Sequence, residues 1–435
     1  METKKIMIIL TAAVAMVSAA AIASSPSISA DPITDAGTSG DVSWILVSSV
    51  LVFAMVPGIA FFYGGMLRKQ SMSSMMTQTL IAIGVMTISW MAVGYSLAFS
   101  GDGALIGDLS KLFMSGVTDS APSGISEMEF ALFQGMFAMI TAAIVLGACA
   151  ERVRYTAMVW FLAAWSILVY APMAHWVWGG GWFDQYLVVL DFAGGTVVHI
   201  CAAITGIALV LFAGKRIDAV RNSTAHNLPL AFLGCAMLWI GWLGFNGGSS
   251  LAADGTAVRA CVVSMMSAAC GMMAWAAAQY MVMGRVGVLG MIAGSIAGLV
   301  GITPAAGYVG LPESMVIGAV AGVLCFYSVR YTKSRMMFDD ALDVFAVHGV
   351  GGIWGAIATG IFAIPEYSGG VAGAIYGSAD LLIGQFIAVI ATLVYCFAMS
   401  YGIIWVLSKV MRICVTPEEE MVGQDLIEHG EHAYM

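Results

Sequence analysis

Residues 191–213 read DFAGGTVVHICAAITGIALVLFA. After the opening Asp191, the stretch contains no lysine, arginine or acidic residue, and its one histidine is His199. An apolar run of roughly 20 residues is long enough to cross the hydrocarbon core of a bilayer as a helix. Similar runs recur along the whole chain, so the sequence predicts an all-α integral membrane protein. A β-barrel is disfavoured, because its strands would alternate polar and apolar residues.

The composition is too poor in charge for a soluble protein. Hydrophobic residues make up 60% of the chain, charged residues only 10%, and the mean hydropathy is +0.92. A soluble domain carries about 25% charged residues, because it needs a hydrated surface. The net charge of −9 is collected in loops and in the tail, and no basic patch predicts nucleic-acid binding. The cysteines are scattered without a C-x-x-C pair, so we expect neither a metal site nor a cofactor.

The apolar runs predict eleven transmembrane helices, with bounds good to about three residues. They lie at residues 43–66, 74–99, 129–149, 155–177, 192–213, 227–246, 257–280, 287–305, 310–329, 344–363 and 380–408. We divide the chain into a signal peptide and polar leader at 1–30, a transmembrane domain at 31–410 and a tail at 411–435. Lys4 and Lys5 precede an apolar stretch that ends near Ala21 and Ala23, which are spaced as at a signal cleavage site. The alternative is an uncleaved helix, which would add one span.

The distribution of basic residues predicts the orientation. If the mature N-terminus lies outside, every second connection and the tail face the cytoplasm. These segments hold Arg68, Lys69, Arg152, Arg154, Lys215, Arg216, Arg221, Arg285, Arg330, Lys333, Arg335, Lys409 and Arg412. The outward-facing connections hold only Lys111 and Arg259. Because cytoplasmic loops are enriched in lysine and arginine, we expect the N-terminus outside and the C-terminus inside, in the cell membrane.

An odd number of spans is compatible with an inverted repeat of five plus five helices and one extra helix. The fifth span opens with Asp191 and contains His199, and the tenth opens with Asp343 and contains His348. The two spacings differ, so the repeat is weak as a sequence pattern. Two buried polar groups in corresponding helices are nevertheless the main indication of function.

Of the six histidines, only His199 and His348 lie well inside predicted spans. Ionisable groups in a bilayer are expensive, and they usually mark a pathway or an internal pair. Two facing neutral imidazoles can share one N–H···N bond and leave one nitrogen each for a small permeant. The alternative is two unrelated core histidines that bond to backbone carbonyls.

Aromatic residues cluster where the third, fourth and sixth spans reach the outer surface. The third begins near Phe137, the fourth ends at Trp178, and the sixth ends with Trp242, Phe245 and Ser249. Aromatic rings without a nearby carboxylate can hold a small cation and still release it. The alternative is the ordinary belt of interfacial aromatic residues.

Several motifs resemble those of the Amt/Mep/Rh ammonium transporter family, in order from about Ser43 to Tyr434. They are PGIAFFYGG at 57–65, GACAER at 147–152, DFAGGTVVHI at 191–200, GWLGFNGGS at 241–249, DVFAVHGVGG at 343–352 and HGEHAY at 429–434. The tryptophan and serine of the outer motifs favour the Amt branch over the Rh branch. The positions that differ from the family's usual residues are not site residues. Two of them are Cys201, where the family usually has a polar residue, and Gln424, where it usually has leucine.

The resemblance implies an ammonium transporter or channel. Phe137, Trp178 and Ser249 would recruit ammonium at the outer mouth. Phe137 and Phe245 would stack as a gate beneath this site. Ammonium would lose its proton there and cross as ammonia, with or without the proton following.

The resemblance also implies the lining of the pore. His199 and His348 would form a twin-histidine lumen, with Trp242 beside it. Asp191, just under the outer mouth, would be important for the structure of the protein and for the electrostatic environment of the cation. From the residues alone, Asp191 is equally explained as the N-cap of its helix.

The family resemblance implies a homotrimer with one pore in each subunit. The acidic tail, with Glu418–Glu420, would couple the subunits and meet a PII-type signal protein, although a charge run is usually a solvated surface. Alternatives are a non-transporting ammonium sensor on the same fold and a Rh-like channel for ammonia or carbon dioxide. We expect such a sensor to carry a fused signalling domain, for which the tail leaves no room. An enzyme is not expected, because no nucleophile, metal cluster or carboxylate pair accompanies the histidines.

Overall fold

The computed structural model describes residues 36–121, 124–222, 224–335 and 339–434, and the predicted signal peptide lies outside these ranges. Ten helices in the described part are long and apolar enough to cross a membrane, so the chain is a multi-pass membrane protein. A shorter apolar helix lies where the eighth span is predicted. In chain order the helices are α1 Ser39–Met66, α2 Lys69–Phe99, α3 Glu127–Ala148, α4 Tyr155–Tyr186, α5 Gly195–Ala213, α6 Leu228–Gly248, α7 Gly255–Met283, α8 Val288–Ile302, α9 Leu311–Lys333, α10 Phe345–Phe362 and α11 Asp380–Leu407.

Most predicted helix ends lie within about three residues of the observed ones. The largest difference is at α4, which was expected to end at residue 177 and continues to Tyr186. A turn at Gly179–Gly180 interrupts it, and a short helical segment, Trp182–Tyr186, follows. The eleventh membrane crossing stays a prediction, because α8 is shorter than the other ten helices.

Glycines allow α1 and α6 to pack with their backbones in close approach. A Cβ atom at Gly234 of α6 would lie only 2.3 Å from the backbone nitrogen of Phe62 and 2.5 Å from the carbonyl oxygen of Gly58. Small residues of this kind favour helix association in membranes, where no hydrophobic effect drives helices together. The contact brings α6, which carries Trp242 and Phe245, directly against α1.

Loops from several parts of the chain meet at one end of the helix bundle, which we call the tail end. Glu151, after α3, accepts hydrogen bonds from Arg68 after α1 at 3.0 Å and from Arg216 after α5 at 2.9 Å. Arg216 also pairs with Asp339, before α10, at 2.8 Å. These are segments that the charge pattern assigns to one side of the membrane. The opposite end, which carries Trp178 and Ser249, is called the aromatic end.

The acidic tail is docked on the tail end. The Asp425 carboxylate accepts hydrogen bonds from the backbone nitrogens of Ser73 and Ser74, at 3.0 and 2.7 Å, in the first turns of α2. Glu428 accepts a hydrogen bond from Arg154 at 2.8 Å. Asp425 and Glu420 are both buried. The interpretation of the acidic tail as a merely solvated surface is therefore wrong for these residues.

The docking explains why glutamine is accommodated at position 424. The buried Gln424 amide donates to the carbonyl oxygen of Val153 at 3.0 Å, and its oxygen accepts from the Ser74 hydroxyl at 3.4 Å. A leucine would fill the space but would make neither hydrogen bond.

A candidate pore between two histidine-bearing helices

The two histidines that were predicted inside spans lie in two backbone segments of the same unusual kind. His199 belongs to the π-helical segment Gly195–Ile200 that opens α5, and His348 to the π-helical segment Phe345–Gly349 that opens α10. Such turns are rare and occur mostly at functional sites, because the extra residue per turn redirects the side chains. Three other π-helical segments lie within α2, within α4 and in the tail, so among the described residues the histidine-bearing two are the ones that open a membrane-spanning helix.

Asp191 caps the first of these segments. One carboxylate oxygen accepts from the backbone nitrogens of Gly194 and Gly195 at 2.8 and 2.7 Å. The other accepts from the backbone nitrogen of Thr196 at 2.7 Å and from its hydroxyl. Gly194 has φ +109°, a conformation that side chains other than glycine's rarely adopt. A carboxylate offers about four acceptor positions, so these four hydrogen bonds occupy all of the acceptor positions of Asp191.

Asp340 caps the second segment, so the counterpart of Asp191 is Asp340 and not Asp343. The Asp340 carboxylate accepts from the backbone nitrogen of Phe345 at 2.7 Å. Asp340 precedes His348 by eight residues, just as Asp191 precedes His199 by eight. This equal spacing was available in the sequence, but the later aspartate, Asp343, stands closer to the predicted span.

The two capped helices run in opposite directions. The indole nitrogen of Trp178, at the aromatic end, donates to the main-chain carbonyl of Asp191 at 2.8 Å, so α5 begins at that end. Asp339, next to Asp340, pairs with Arg216 at the tail end, so α10 begins there. The histidines approach from opposite ends, and their Nδ1 atoms lie 3.2 Å apart. One N–H···N hydrogen bond therefore joins the two imidazoles.

Aromatic rings lead from the aromatic end to the histidine pair. The Trp178 ring meets Phe137 edge-on, with centroids 5.9 Å apart. Phe137 and Phe245 lie 4.4 Å apart, and both are fully buried. Phe245 in turn stacks on His199, with 6.0 Å between centroids and 20° between planes. Trp178, Phe137, Phe245 and His199 thus form one continuous series of rings.

Trp242, in α6, and Ser249, directly after the last residue of α6, also contact this series. The Trp242 ring stacks on His199 at 5.5 Å, and its indole nitrogen donates to the Thr303 hydroxyl at 2.9 Å. Ser249 lies one turn beyond Phe245, and its hydroxyl donates to the Phe245 carbonyl at 2.8 Å. Ser249 is half-buried, and its hydroxyl oxygen can still accept a hydrogen bond from a further donor. Ser249 is therefore linked to the ring series through Phe245.

A narrow cavity, which we call the lumen, lies between Phe245 and the histidines. The volume that the centre of a water molecule can occupy in it is about 10 Å³. This volume is close to the minimum that a cavity needs to hold one water-sized molecule. Its wall is formed by Met55, Ile59, Phe62, Tyr63, Ile140, Ile144, His199, Leu238, Trp242, Phe245, Ile296 and His348. The Nε2 atom of His199 is buried without a hydrogen-bond partner among the described residues. A small polar molecule in this lumen would supply the missing partner.

A larger cavity continues from the lumen toward the tail end, and we call it the tail-end cavity. Its volume is about 430 Å³, and both His348 and Asp343 lie in its wall. Phe62, Tyr63, Ile296 and His348 line both cavities, so these four side chains lie at the boundary between them. Tyr63 was not singled out from the sequence, although it stands in the PGIAFFYGG motif at 57–65.

The sequence model of the Ammonium Transporter Family matches residues 43–434. The chain belongs to this family. The match covers every helix from α2 to α11 and the docked tail.

Named members of the ammonium transporter family resemble the chain over nearly their full length. The ammonium transporter of Bacillus subtilis is 42% identical over 403 residues, which cover 91% of this chain and 98% of the relative. The ammonium transporter Amt1 of Archaeoglobus fulgidus is 41% identical over 397 residues, which cover 91% of this chain and 99% of the relative.

Solved structures of the family share the fold. The crystal structure of Candida albicans Mep2 is 35% identical with a TM-score of 0.83, covering 91% of this chain and 90% of that one. A structure named Sensor Amt Protein is 29% identical with a TM-score of 0.84, covering 90% of this chain and 99% of that one.

Proposed function

We propose that the protein recruits ammonium at its aromatic end and conducts ammonia through the twin-histidine lumen into the cytoplasm. The observation that carries the proposal is the unbroken series of rings from Trp178 through Phe137 and Phe245 to the histidine pair. Its lumen of about 10 Å³ fits one molecule of the size of ammonia.

The aromatic end faces outward and the tail end faces the cytoplasm. The support is the arginine-rich tail end, where Arg68, Arg152, Arg154 and Arg216 meet and which the positive-inside rule assigns to the cytoplasm. With α8 as a short eleventh crossing, the N-terminus lies outside, and a signal peptide in residues 1–30 is removed. The eleven helices form a five-plus-five inverted repeat with one extra helix, in the cell membrane.

Recruitment uses ring faces and one hydroxyl. Trp178 and Phe137 attract a cation through their π-systems, and the Ser249 oxygen accepts a hydrogen bond that potassium cannot donate. A site without a carboxylate in direct contact holds ammonium weakly enough to release it. Asp191 adds negative charge near the mouth, while its capping bonds keep its carboxylate from contacting the cation directly.

Selection follows from the cost of burying a charge. The closely packed rings of Phe137 and Phe245 exclude hydrated ions, and transferring a bare ion into an apolar lumen is very unfavourable. Ammonium escapes this penalty by giving up a proton, which potassium cannot do. Neutral ammonia then passes His199, whose free Nε2 atom forms a hydrogen bond with it in either tautomer.

The proton leaves ammonium at the outer mouth. Asp191 is not its acceptor, because four hydrogen bonds already occupy the carboxylate. The proton either returns to outside water or follows along the His199–His348 hydrogen bond. The first route moves no net charge and the second moves one charge per ammonia.

Flux and current in proteoliposomes test the proposal. We expect an ammonium gradient to drive ammonium uptake with little potassium leak, and a simultaneous current identifies the route in which the proton follows. His199→Ala combined with His348→Ala should remove the preference for ammonium over potassium. His226→Ala, which changes a histidine at the tail end that bonds Leu67 and Tyr434, is the matched control. Unchanged selectivity in the double variant would contradict the role of the histidine pair.

A second candidate function is a non-transporting ammonium sensor, favoured by the structural likeness to Sensor Amt Protein. The relatives of higher identity, at 42% and 41%, are named transporters, so transport is the better supported function. Uptake of labelled methylammonium, an ammonium analogue, by cells without their own transporters separates the two. Binding without uptake would identify a sensor.

The assembly is a homotrimer with one pore per subunit, and its docked tail is the contact point for a PII-type signal protein. The apolar side chains exposed on α7, among them Val258, Val262 and Met273, suit a neighbouring subunit or lipid. The mass of the detergent-solubilised protein tests the trimer. Co-purification of a PII protein with the full chain, and its loss when residues 411–435 are removed, tests the partner.

A further inference from the structure

Gln385, in α11, is a buried glutamine that joins two parts of the pore. Its side-chain amide nitrogen donates to the main-chain carbonyl of Leu190 at 2.8 Å and to that of Ala356 at 3.0 Å. Leu190 directly precedes Asp191, the cap of α5, and Ala356 lies in α10. One side chain therefore connects the segment that leads into α5 with α10, and these are the two helices that carry the histidine pair.

The two acceptors fix the orientation of the Gln385 amide. A carbonyl oxygen only accepts hydrogen bonds, so the NH2 group, with its two donors, must face Leu190 and Ala356. The Oε1 atom of the same amide is buried and has no hydrogen-bond partner among the described residues. Burial of an acceptor without a partner is unfavourable. A methionine would fill the same space without this penalty, so packing alone does not explain a glutamine at this position.

Glycines bring three backbone segments together around this amide. A Cβ atom at Gly384 of α11 would overlap the carbonyl oxygen of Val188, in the segment that leads into α5. A Cβ atom at Gly360 of α10 would lie 2.8 Å from the Cα atom of Leu382 in α11. Because these backbones approach so closely, the short side chain of Gln385 reaches a carbonyl group on each side.

About one helical turn from the amide, α10 contacts the histidine-bearing start of α5. Gly352 lies four residues before Ala356, and a Cβ atom at Gly352 would lie 3.1 Å from the Cβ atom of His199. A single hydrogen bond, with 3.2 Å between the Nδ1 atoms, joins His199 to His348. Hydrogen bonds weaken steeply when they are misaligned. A displacement of α10 from the start of α5 would therefore weaken the bond between the imidazoles.

We propose that Gln385 is a positioning residue for the histidine pair, because its amide holds α10 against the entry of α5 and so keeps the two imidazoles at hydrogen-bond distance. The amide bonds two backbone carbonyls and acts on the imidazoles through them. In the proposed inverted repeat α11 is the extra helix, and this contact gives it a task in the pore. The inference deepens the proposed function and rests on it, since positioning affects conduction only if His199 and His348 line the path.

Magic-angle-spinning NMR of the full-length protein in lipid bilayers, with its histidine nitrogens isotope-labelled, tests the positioning directly. The resonances of the shared N–H···N bond are identified as those that change in His348→Ala. We expect Gln385→Met, which keeps the length of the side chain and loses both donors, to shift these resonances. Gln78→Met is the matched control, because Gln78 is also buried but donates to the Ser74 hydroxyl within α2 at 3.2 Å. It should leave the resonances unchanged.

Selectivity in proteoliposomes tests the consequence for conduction. The ratio of ammonium flux to potassium leak through the protein is independent of the number of folded molecules, so a loss of folded protein alone does not change it. We expect Gln385→Met to lower this ratio at least about threefold, because two hydrogen bonds are lost, and Gln78→Met to leave it unchanged. Gln385→Asn keeps the amide on a shorter side chain that reaches only one carbonyl, so its ratio should be intermediate. This variant also decides the question if the methionine variant does not fold.

The two measurements separate the positioning role from the proposed function. In a protein that conducts ammonium, unchanged resonances or an unchanged ratio in the Gln385 variants would overturn the positioning role alone. Changes of equal size in Gln78→Met would overturn it as well. Absent flux in the wild type, with resonances that still depend on Gln385, would refute conduction and leave the positioning role standing.

Discussion

The indole nitrogen of Trp178 donates a hydrogen bond of 2.8 Å to the main-chain carbonyl of Asp191. The side chain of the same aspartate caps the helix that carries His199. One residue therefore fixes both the outermost ring of the series and the start of the pore helix. A change in either partner alters the position of the other.

Two substitutions of Trp178 separate its ring from its hydrogen bond. Trp178→Phe keeps an aromatic face and loses the bond to Asp191, whereas Trp178→Leu loses both. We expect KM for ammonium to rise modestly in the phenylalanine variant and about fivefold in the leucine variant, because a cation–π contact contributes roughly 1 kcal/mol. The maximal flux should change less than KM in both. Equal KM values in the leucine variant and the wild type would contradict recruitment by the ring.

Removal of a gate ring should open the path to hydrated ions. Phe245→Ala deletes the ring that packs against Phe137, with centroids 4.4 Å apart and 34° between the planes, and leaves a water-accessible gap above His199. We expect water permeability and potassium leak in proteoliposomes to increase several-fold. Phe161→Ala, which removes an equally buried phenylalanine of α4 outside the ring series, controls for the loss of packing. A leak of equal size in both variants would argue against a gate.

Loss of the α5 cap should destabilise the protein strongly. Asp191→Ala leaves three buried backbone N–H groups without their acceptor, and each such group costs about 1–3 kcal/mol. We therefore expect a lowered thermal unfolding midpoint in detergent. Asp254→Ala, which removes the single capping bond to Ala257 at 2.8 Å, should lower the midpoint much less. Similar losses in the two variants would contradict the special weight of the Asp191 cap.

The Asp340 carboxyl should make stability depend on pH. Burial, together with the negative charge of Asp343, raises the pKa of Asp340 to about 7, well above the value of about 3.9 for a free aspartate. Because the fold prefers the protonated form, this contribution is fully present below about pH 4 and is lost as the pH rises through about 7. The unfolding midpoint should therefore fall between pH 5 and pH 8.

Asp340→Asn should reduce that fall, because the amide is uncharged and its oxygen still accepts from Phe345. Asp254→Asn, which makes the same change at an exposed aspartate, is the matched control. An unchanged pH dependence in Asp340→Asn would show that other groups cause it.

Release of the tail is predicted for Asp425→Ala. The variant loses both hydrogen bonds to the first turns of α2, and a helix cap contributes about 1 kcal/mol. We expect faster hydrogen exchange at Ser73 and Ser74 and across residues 416–434, with the exchange of α5 unchanged. Glu418→Ala, which changes an exposed acid of the same tail, should leave the exchange as in the wild type.

The sequence predicted the helices because transmembrane spans depend on a local property, the length of an apolar run. It also singled out His199 and His348, since a buried ionisable group is conspicuous in such a run. The ring series from Trp178 to Phe245 was predicted only through family motifs. Its members come from three helices, α3, α4 and α6, and no local pattern shows that their rings touch.

The functions of the carboxylates could not be predicted in the same way. Asp339, Asp340 and Asp343 stand together in one loop, and in the sequence only the eight-residue spacing to the histidine distinguishes Asp340 from the other two. Which of them caps α10 depends on the path of the backbone, which turns left-handed at Asp343. The interpretation of the acidic tail as a solvated surface was wrong for a related reason. The partners of Glu420 and Asp425 lie far away in the chain, so the sequence does not show that these two acids are buried.

The equal distance from aspartate to histidine in α5 and α10 has a consequence for how much of the chain the histidine bond requires. Each helix start supplies a single imidazole, and one imidazole cannot form the bond that joins His199 to His348. The bond forms only where two helix starts that run in opposite directions meet, 149 residues apart in the chain. The histidine pair is therefore a property of the packed bundle and of neither helix alone.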